Sequence, residues 1–397
     1  MIRPFNYIYR KLLQHQAQGY DLILLGAALL LALLGILMIY SASIPLSDRM
    51  FGNGFVFLRN HLVHMTIGLA GMALAMRVPY QRWEAWMPFL LGLCFFLLIV
   101  VLIPGLGHQV GGARRWLRAG PFNIQPSELV KLTLIFYVAS YLTRKPDQVT
   151  QFLRGLVPNL TVMGIFLALV VMQPDFGTMV LIALTLLTMI FVGGARPAHL
   201  FVSILGFSVI GAWLVASRSY RMKRILAFLD PWQDRLDSGF QIIQSYLAFG
   251  SGGWLGLGLG DSRQKMFFLP DAHTDFIFSI LGEEMGLLGV LGTMLLFSLF
   301  LYRGFRAAIN CPDDFGRYLA FGISTLFTLQ IMINMSVVMG LIPTKGLPLP
   351  FISYGGSSLV VSLFMTGILL NVGRNPQAAA QAERRATPMG TPAPYKR

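Results

Sequence analysis

Charged residues are scarce in this chain. Asp, Glu, Lys and Arg make up 12% of its 397 residues, whereas hydrophobic residues make up 55%. Soluble domains carry roughly 25% charged residues. Only helices and closed β-barrels satisfy every backbone hydrogen bond inside a bilayer, and long unbroken apolar runs of helical length exclude the barrel. The composition therefore predicts an all-α polytopic integral membrane protein.

Cysteine is nearly absent as well. Cys94 lies inside an apolar run and Cys311 lies in a loop. The two are far apart in any topology that the apolar runs allow, so neither a disulfide framework nor a cysteine metal site is expected. His61 and His64 lack a convincing third ligand, and we expect no zinc site built by the protein.

No cleavable signal peptide is expected. The apolar run that begins at Leu22 extends about 20 residues, which is too long for the hydrophobic core of a signal peptide. We expect this run to be the first of about ten spans. The other nine lie near residues 62–76, 86–104, 129–143, 158–173, 178–193, 199–217, 274–301, 318–341 and 355–372.

No internal repeat is evident, which argues against an inverted-repeat transporter. Outside residues 218–272, Lys and Arg are more frequent in the loops on the side of the N-terminus, and the positive-inside rule then places both termini in the cytoplasm. Residues 218–272, between the seventh and eighth spans, are expected to form one large periplasmic loop. We expect residues 1–20 to be a cytoplasmic segment and 21–374 to be a single transmembrane domain. Residues 375–397, rich in Ala, Pro, Gln and Arg, are expected to be a disordered cytoplasmic tail.

Cations cluster in the outer loops, where membrane topology usually disfavours them. Arg114, Arg115 and Trp116 follow the third span. A second group follows the seventh span and consists of Arg218, Arg221, Lys223 and Arg224. Two interpretations stay open, because basic aromatic segments often lie against anionic lipid headgroups, while Arg side chains also suit the phosphate oxygens of a substrate at the outer leaflet.

Two segments of the long loop have recognisable patterns. Residues 220–229 place cations and apolar residues at helical spacing, which predicts a short amphipathic helix lying on the membrane, ended by Pro231. Residues 250–265 are rich in glycine, but no strand-turn-helix unit surrounds them, so a dinucleotide-binding loop is excluded. A backbone that turns tightly or approaches a ligand closely explains these glycines.

Asp275 lies where a polar loop becomes a hydrophobic helix. Thr274 or Asp275 could cap this helix, because short oxygen-bearing side chains accept hydrogen bonds from first-turn amides. The alternative is a functional acid at the outer face of the membrane. Gly282 and Gly286 fall on the same helix face as Asp275 at about 100° per residue, so a neighbouring helix can pack closely below the acid.

Other polar groups lie among apolar residues. Glu128 and Lys131, three residues apart at a helix start, predict a mutual and structural ion pair. Asp175 lies between two spans and is either a helix cap or a second acid of the site. Glu283 and Glu284 lie about two turns into the eighth span, where an ionisable group is either functional or a buried, hydrogen-bonded structural element.

Four separate motifs resemble the signatures of the SEDS family, the shape, elongation, division and sporulation proteins of bacteria. They occur in the family's order, and the resemblance extends from the first span to the tenth. The motifs are Ala113-Arg114-Arg115-Trp116-Leu117 with Gln125-Pro126-Ser127-Glu128-Leu129, Gln173-Pro174-Asp175-Phe176-Gly177-Thr178, residues 273–284 and residues 346–358. Residues 228–234 and 343–346 are more similar to the cell-division member than to the elongation member. Phe240 stands where the family often has tyrosine, which removes a hydroxyl.

The resemblance implies a peptidoglycan glycosyltransferase that polymerises lipid II in the bacterial cytoplasmic membrane, at the division septum. Its implied partners are a division-specific class B penicillin-binding transpeptidase, bound through transmembrane helices and the periplasmic region, and other divisome membrane proteins; no nucleic acid is expected. The family's essential aspartate matches Asp275. The matching substrate-cavity candidates are Arg114, Arg115, Trp116, Gln241, Gln244, Ser245, Lys265 and His273. Supporting positions are Glu128, Lys131, Asp175, Glu283, Glu284, Ser353, Gly355 and Gly356.

The chemistry of that reaction fits Asp275. The 4-hydroxyl of one disaccharide attacks the anomeric carbon of another sugar while a polyprenyl diphosphate leaves, and a carboxylate that accepts the hydroxyl proton contributes roughly 10²- to 10⁴-fold. Outer Arg and Lys side chains would stabilise the charge on the leaving diphosphate; no tightly bound cofactor is expected, and a divalent cation such as Mg²⁺ stays open. Inversion from an α-linked donor to a β-linked product is expected, without a second carboxylate.

Three other functions stay open. A flippase of the lipid-linked precursor could line its path with the broken segments 173–177 and 348–356, but its key charges should lie near the midplane. A ligase of the O-antigen type shares the polyprenyl diphosphate chemistry, and the motifs at 273–276 and 354–357 argue against it. A non-catalytic division scaffold would leave Asp275 as a mere cap.

Overall fold

The computed structural model describes residues 19–110, 113–120, 122–217, 219–235, 239–266 and 268–374. The predictions for residues 1–18 and 375–397 and for Arg218 lie outside these ranges. The described helices are α1 (Leu22–Phe51), α2 (Val56–Arg77), α3 (Gln81–Leu102), α4 (Pro126–Arg144), α5 (Pro146–Val149), α6 (Val157–Met172), α7 (Phe176–Val192), α8 (Pro197–Ala216), α9 (Ser219–Leu229), α10 (Phe240–Gly252), α11 (Ile277–Asn310), α12 (Asp314–Val338) and α13 (Gly356–Val372). A π-helical turn, Phe152–Leu156, precedes α6.

All of these helices except α5, α9 and α10 coincide with the ten predicted spans, which confirms the all-α polytopic fold. Six are long and apolar enough to cross a membrane by length and composition, counting the π-helical turn with α6, and α7 and α13 are shorter apolar helices. The remaining two, α2 and α4, carry more polar residues. α4 is buried against α3, α7 and α12, so its polar groups meet protein rather than lipid.

The segment between α12 and α13, residues 339–355, descends into the bundle from the side that the positive-inside rule assigns to the exterior. The ring of Phe351 lies 5.2 Å from that of Phe300 on α11 and 5.5 Å from that of Phe327 on α12, centroid to centroid. Its carbonyl approaches α1 so closely that a Cβ on Gly35 would lie 2.3 Å from the Phe351 oxygen. An irregular backbone at this depth is tolerated because protein side chains satisfy its polar groups.

Most of the predicted periplasmic loop is folded. α9 matches the amphipathic helix predicted at 220–229. α10 packs against the first turns of α11, where Gly282 admits the ring of Phe249; a Cβ on Gly282 would lie 2.5 Å from that ring. The close packing expected below Asp275 is therefore provided by α10.

α11 is interrupted at Gly286, whose φ is 63° and ψ is −164°. The expectation that Gly286 continues the helix face of Gly282 is therefore wrong. At the break, the Leu287 amide donates to the Gly253 carbonyl at 2.9 Å, and the Leu257 amide donates to the Glu283 carbonyl at 3.0 Å. The glycine-rich segment thus lies against α11 about 10 Å below its start, at 1.5 Å per residue.

A three-stranded antiparallel sheet, which the apolar pattern did not predict, occupies the outer loop between α3 and α4. Its strands are β1 (Gly107–Val110), β2 (Ala113–Ala119) and β3 (Phe122–Ile124). Gln109 pairs with Arg114 and His108 with Trp116, so Arg115 is an extra residue of β2 and forms a β-bulge. A bulge bends a strand and redirects a side chain, and Arg115 here points to the start of α7.

Candidate active site

Asp275 is half-buried in the turn before α11, at the end of the bundle that the positive-inside rule assigns to the exterior. Its carboxylate is next to the backbone of Gly346, because a Cβ built on that glycine would lie 2.9 Å from Asp275 Oδ2. Gly346 itself is exposed. The turn before α11 and the 339–355 segment therefore meet at a carboxylate that a substrate could approach from outside.

Asp275 does not cap α11. The N-cap residue is Phe276, and within the described part of the chain no side-chain cap forms at this helix start. The Thr274 hydroxyl donates instead to the carbonyl of Asp271 at 3.1 Å. The capping interpretation is wrong for both candidates, and the Asp275 carboxylate is left for other chemistry.

The backbone on both sides of Asp275 is held by side chains from other segments. The Asn334 amide nitrogen donates to the Asp275 carbonyl at 3.0 Å and to the Leu347 carbonyl at 2.7 Å. Ser353 Oγ donates to the Thr274 carbonyl at 2.6 Å. The 339–355 segment is thereby joined to the turn that carries the acid.

Burial raises the pKa of the Asp275 carboxyl to about 7. The charge of Asp271 also raises this pKa, Arg224 and Arg115 lower it, and Asp175 raises it in smaller measure. A carboxyl group that titrates near neutrality can both ionise and accept a proton at working pH, which is what a general base requires. Perturbed acids of this kind concentrate at functional sites.

Two arginines bring positive charge to the site. The Arg115 guanidinium donates to the carbonyls of Gln173, at 3.2 Å, and of Pro174, and one of its nitrogens lies 3.9 Å from Asp175 Oδ1. Asp175 caps α7, accepting from the Thr178 amide at 3.2 Å, so it serves both as a cap and as a charge of the site. Arg224 on α9 donates to the Thr344 carbonyl at 3.2 Å.

His273 and Gln241 lie beside the turn that carries Asp275. The His273 ring packs against the rings of Phe57 and Tyr354, at centroid distances of 5.1 and 5.7 Å. Burial lowers the pKa of His273, and the charge of Asp271 opposes that change. Gln241 Nε2 donates to Asp271 Oδ2 at 3.4 Å. These two candidates are near the acid, and their substrate-binding role stays a prediction.

Lys265 lies behind the site and has internal partners. Its ammonium donates to Glu284 Oε1 at 2.9 Å, to Ser41 Oγ at 2.9 Å and to the Gly260 carbonyl at 2.5 Å. The carboxylate of Glu283 accepts from Ser262 Oγ and from backbone amides of the same loop. Both glutamates therefore hold the 253–266 segment against α11.

The remaining candidates occupy supporting or peripheral places. Ser245 is buried, hydrogen-bonded to Ser279 Oγ at 2.7 Å and donating to the Val338 carbonyl at 2.5 Å. Arg114 and Trp116 on β2 and Gln244 on α10 are half-buried. Gly355 precedes α13, and Gly356 leaves room for His64, whose Nε2 would be 2.4 Å from an added Cβ. The Glu128–Lys131 ion pair forms at 2.7 Å within α4.

Sequence reasoning missed four side chains at or behind the site: Asp271, Gln330, Asn334 and Lys345. Gln330 and Asn334 carried a usable signal, because two amides one turn apart within an apolar span each need a buried partner. In the sequence, Lys345 stands out only as part of the segment 343–346, which is more similar to the cell-division member of the family. Its ammonium lies 5.3 Å from the centre of the Phe176 ring, and burial lowers its pKa.

The fold and this site define a multi-pass membrane protein with an acid at its outer rim. The chain belongs to the cell cycle protein family of FtsW, RodA and SpoVE, whose family model matches residues 21–378. This confirms the resemblance to the SEDS family that the motifs indicated.

Relatives match over nearly the whole chain. The chain is 46% identical over 370 residues to the "Probable peptidoglycan glycosyltransferase FtsW" of Geobacter sp. strain M18, covering 92% of this chain and 100% of the relative. It is 48% identical over 356 residues to stage V sporulation protein E of Bacillus subtilis strain 168, covering 89% and 97%. Division and sporulation members thus stand at similar identity.

Solved structures share the fold. One is a chain from a study of the structural coordination of polymerization and crosslinking by a peptidoglycan synthase complex, with a TM-score of 0.73 at 30% identity, covering 89% of this chain and 98% of that one. Another is the rod shape determining protein RodA of Thermus thermophilus, with a TM-score of 0.66 at 28% identity, covering 89% and 97%.

Proposed function

We propose that the chain is a peptidoglycan glycosyltransferase that polymerises lipid II at the outer face of the cytoplasmic membrane. The observation that carries this proposal is Asp275, whose carboxyl has a pKa of about 7 at the outer end of the bundle, with Arg115 and Arg224 within electrostatic reach. The names of the relatives and of the structurally similar complex support the same reaction class.

The proposed step is one displacement. The 4-hydroxyl oxygen of the acceptor sugar forms a bond to the anomeric carbon of the donor, and the bond from that carbon to the diphosphate oxygen breaks. The diphosphate leaves with the electron pair, and the hydroxyl proton passes to the Asp275 carboxylate. One displacement inverts the configuration, so an α-linked donor gives a β-linked product. General-base help of this kind contributes roughly 10²- to 10⁴-fold.

The leaving diphosphate requires positive charge. Arg115 and Arg224 are fixed near Asp275 by backbone carbonyls, and preorganised charges of this kind stabilise developing negative charge without reorganisation. An apolar groove of about 350 Å³ opens beside Gln125, between α2, α13 and β3. Gln125 Nε2 donates to Asp175 Oδ2 at 3.4 Å. The groove therefore suits a polyprenyl chain whose diphosphate lies near these charges.

No three His, Cys, Asp or Glu side chains of the described residues converge on a metal-sized site. We therefore assign no step to a metal ion held by the protein. A divalent cation such as Mg²⁺, carried by the diphosphate itself, stays a prediction, and titration with a chelator during turnover tests it.

The proposed setting is the division septum, with a class B penicillin-binding transpeptidase as partner and other divisome membrane proteins nearby. The similarity to a chain of a synthase complex for polymerization and crosslinking supports a transpeptidase partner. Co-purification of the two full-length proteins tests the complex, and imaging of a fluorescent fusion tests the location.

A gel assay tests the activity. Purified full-length protein, alone and with its candidate transpeptidase, is incubated with labelled lipid II, and the glycan strands are separated by length. Asp275→Asn should abolish polymer while expression and partner binding persist. Asp261→Asn is the matched control, because Asp261 is an exposed acid of the same loop, and it should polymerise normally.

Two results would contradict the proposal. Polymer formed at the parental rate by Asp275→Asn would remove the base assignment. Folded protein that makes no polymer under either condition, but moves lipid II across liposome membranes, would favour the flippase alternative.

A further inference from the structure

Two buried amides lie on one face of α12 behind the site. Gln330 and Asn334 are 2% and 1% exposed, and residues four apart on a helix lie one above the other. Each donates to the backbone of the 339–355 segment rather than to its own helix. A buried amide inside a membrane helix is costly unless it is hydrogen-bonded, so these contacts are specific.

Asn334 joins the two segments that meet at Asp275. Its single amide nitrogen donates to the Asp275 carbonyl at 3.0 Å and to the Leu347 carbonyl at 2.7 Å. Both partners are carbonyl oxygens, so the orientation of the amide is fixed by chemistry: only the nitrogen can face them. Leu347 directly follows Gly346, where an added Cβ would lie 2.9 Å from Asp275 Oδ2.

Gln330 connects the same segment to the charged pair of α4. Its Nε2 donates to the Pro348 carbonyl at 2.8 Å, and its Oε1 accepts from Lys131 Nζ at 3.3 Å. Lys131 is in turn held by Glu128 at 2.7 Å. The ammonium therefore dictates which end of the Gln330 amide faces the segment. A continuous set of contacts runs from α4 through α12 to the acid.

We propose that Asn334 and Gln330 are positioning residues for the reaction, with the Glu128–Lys131 pair as their anchor, and that they set the place of the Asp275 carboxylate by holding its backbone and the Gly346–Pro348 backbone together. This inference rests on the proposed function. Neither amide touches the reacting atoms. Asn334 acts through the backbone that carries the acid and through the facing segment, and Gln330 acts through the facing segment alone.

The arrangement around Asp275 explains why positioning is needed. The acid lies in a turn that no side chain caps, and the segment opposite it has no regular structure. A catalytic group displaced by about 1 Å can lose roughly 100-fold in rate. The amides replace the hydrogen bonds that a helix or sheet would have supplied on both sides of the acid.

The test uses full-length protein with its candidate transpeptidase and labelled lipid II. Asn334→Leu removes both hydrogen bonds at similar volume. We expect kcat to fall by roughly 100-fold and KM to change by less than about twofold, because the substrate contacts are intact. The ascending limb of the pH–rate profile should also move, since a displaced Asp275 has a different distance to Arg115 and Arg224. If Asn334→Leu only destabilised the fold, it would lower the amount of active enzyme and leave the ascending limb of the pH–rate profile in place.

Thr328→Val is the matched control. Among the described residues, the Thr328 hydroxyl donates only to the Ser324 carbonyl of its own helix, at 2.8 Å, so this variant should leave kcat and the pH profile unchanged. Gln330→Met should reproduce the Asn334→Leu phenotype in milder form. Where Asn334→Leu does not fold, Asn334→Ala serves instead, since it removes both donors without bringing a new polar or bulky group against the two carbonyls.

Parental kcat in Asn334→Leu or Asn334→Ala would overturn the proposal, as would a fall in rate without movement of the pH limb. Failure of both variants to fold would assign these amides to folding and also overturn it. The proposed function is judged separately: an inactive Asp275→Asn beside a fully active Asn334→Leu rejects only the positioning role, whereas an active Asp275→Asn rejects the base itself.

Discussion

Asp271 lies four residues before Asp275 in the turn that precedes α11. The charge of Asp271 raises the pKa of the Asp275 carboxyl. Asp271 adopts φ 55°, in the left-handed region that Asn tolerates as well as Asp does. Asp271→Asn therefore removes a charge from the site with little backbone strain, and separates electrostatics from geometry.

The first prediction concerns the pH dependence of polymerisation. Only the ionised Asp275 accepts a proton, so kcat/KM should fall tenfold per pH unit below a midpoint of about 7. Asp271→Asn should shift this midpoint to lower pH, because a charge that raises the pKa is gone. Initial rates between pH 5 and pH 9 measure the ascending limb and the plateau above it. Asp261→Asn should keep the parental midpoint, and an unmoved midpoint in Asp271→Asn would contradict the assignment.

The same pKa predicts how stability depends on pH. The folded-state pKa of Asp275 lies above the unfolded value of about 3.9, so the folded state binds more protons than the unfolded state between the two values. Stability therefore falls as pH rises through that window. Asp275→Asn should melt several degrees above the parent at pH 8 and at the same temperature as the parent near pH 4. A difference independent of pH would show that ionisation is not its cause.

A methyl group at Gly346 should displace the acid. Gly346→Ala places a Cβ 2.9 Å from Asp275 Oδ2, which forces the carboxylate to shift by a few tenths of an ångström. Polymerisation should fall roughly 10- to 100-fold, while the melting temperature changes little because Gly346 is exposed. Gly250→Ala is the control, because a Cβ added at Gly250 would meet open space. Gly260 is unsuitable as a control, since its φ is positive. Gly250→Ala should retain parental activity.

The buried ion pair between Lys265 and Glu284, behind the site, should stabilise the folded protein. The side chains of Lys265 and Glu284 are 6% and 0% exposed and lie 2.9 Å apart. Lys265→Met leaves a buried carboxylate without its cation, which should cost about 3–5 kcal/mol of unfolding free energy. Arg144→Met breaks an ion pair whose arginine is 62% exposed, and should cost less than about 1 kcal/mol. Equal melting shifts would show that Lys265 has no structural role and would favour its predicted contact with substrate.

Arg115 should affect substrate use more than folding. Its guanidinium contacts two carbonyls and Asp175 through different nitrogens, a geometry that Lys cannot reproduce. Arg115→Ala and Arg115→Lys should both lower kcat/KM for lipid II roughly 10- to 100-fold, and Arg114→Ala should weaken it less. Arg118→Ala, an exposed cation of the same strand, is the control. Unchanged kinetics in the Arg115 variants would return this residue to the lipid-headgroup interpretation.

Much of the architecture was accessible from the sequence because a bilayer imposes a local rule. Each span needs about 20 apolar residues wherever it occurs, and the run from Leu22 satisfies it without reference to the rest of the chain. The amphipathic helix α9 follows from its own spacing of cations and apolar residues. The Glu128–Lys131 pair is likewise local, since three residues separate its members along one helix.

Asp275 was identified as a candidate partly from its position at a loop-to-helix boundary and partly from the resemblance to the SEDS family. An Asp at a loop-to-helix boundary is chemically ambiguous, and the sequence left capping and catalysis both open. The structure removes capping, because Asp275 accepts no first-turn amide. The break at Gly286 and the bulge at Arg115 were not predictable, because each arises from pairing with a distant or irregular segment.

The sequence by itself thus determined the class of protein, the ten spans and the short list of outer cations and acids. Only the tertiary structure decided which polar groups meet one another: Lys265 pairs with Glu284, and Asn334 holds the backbone of Asp275. The physical reason is that apolarity is required residue by residue in a bilayer, whereas a buried polar group must find a partner. That partner is supplied by whichever segment the packing brings near, at any separation along the chain.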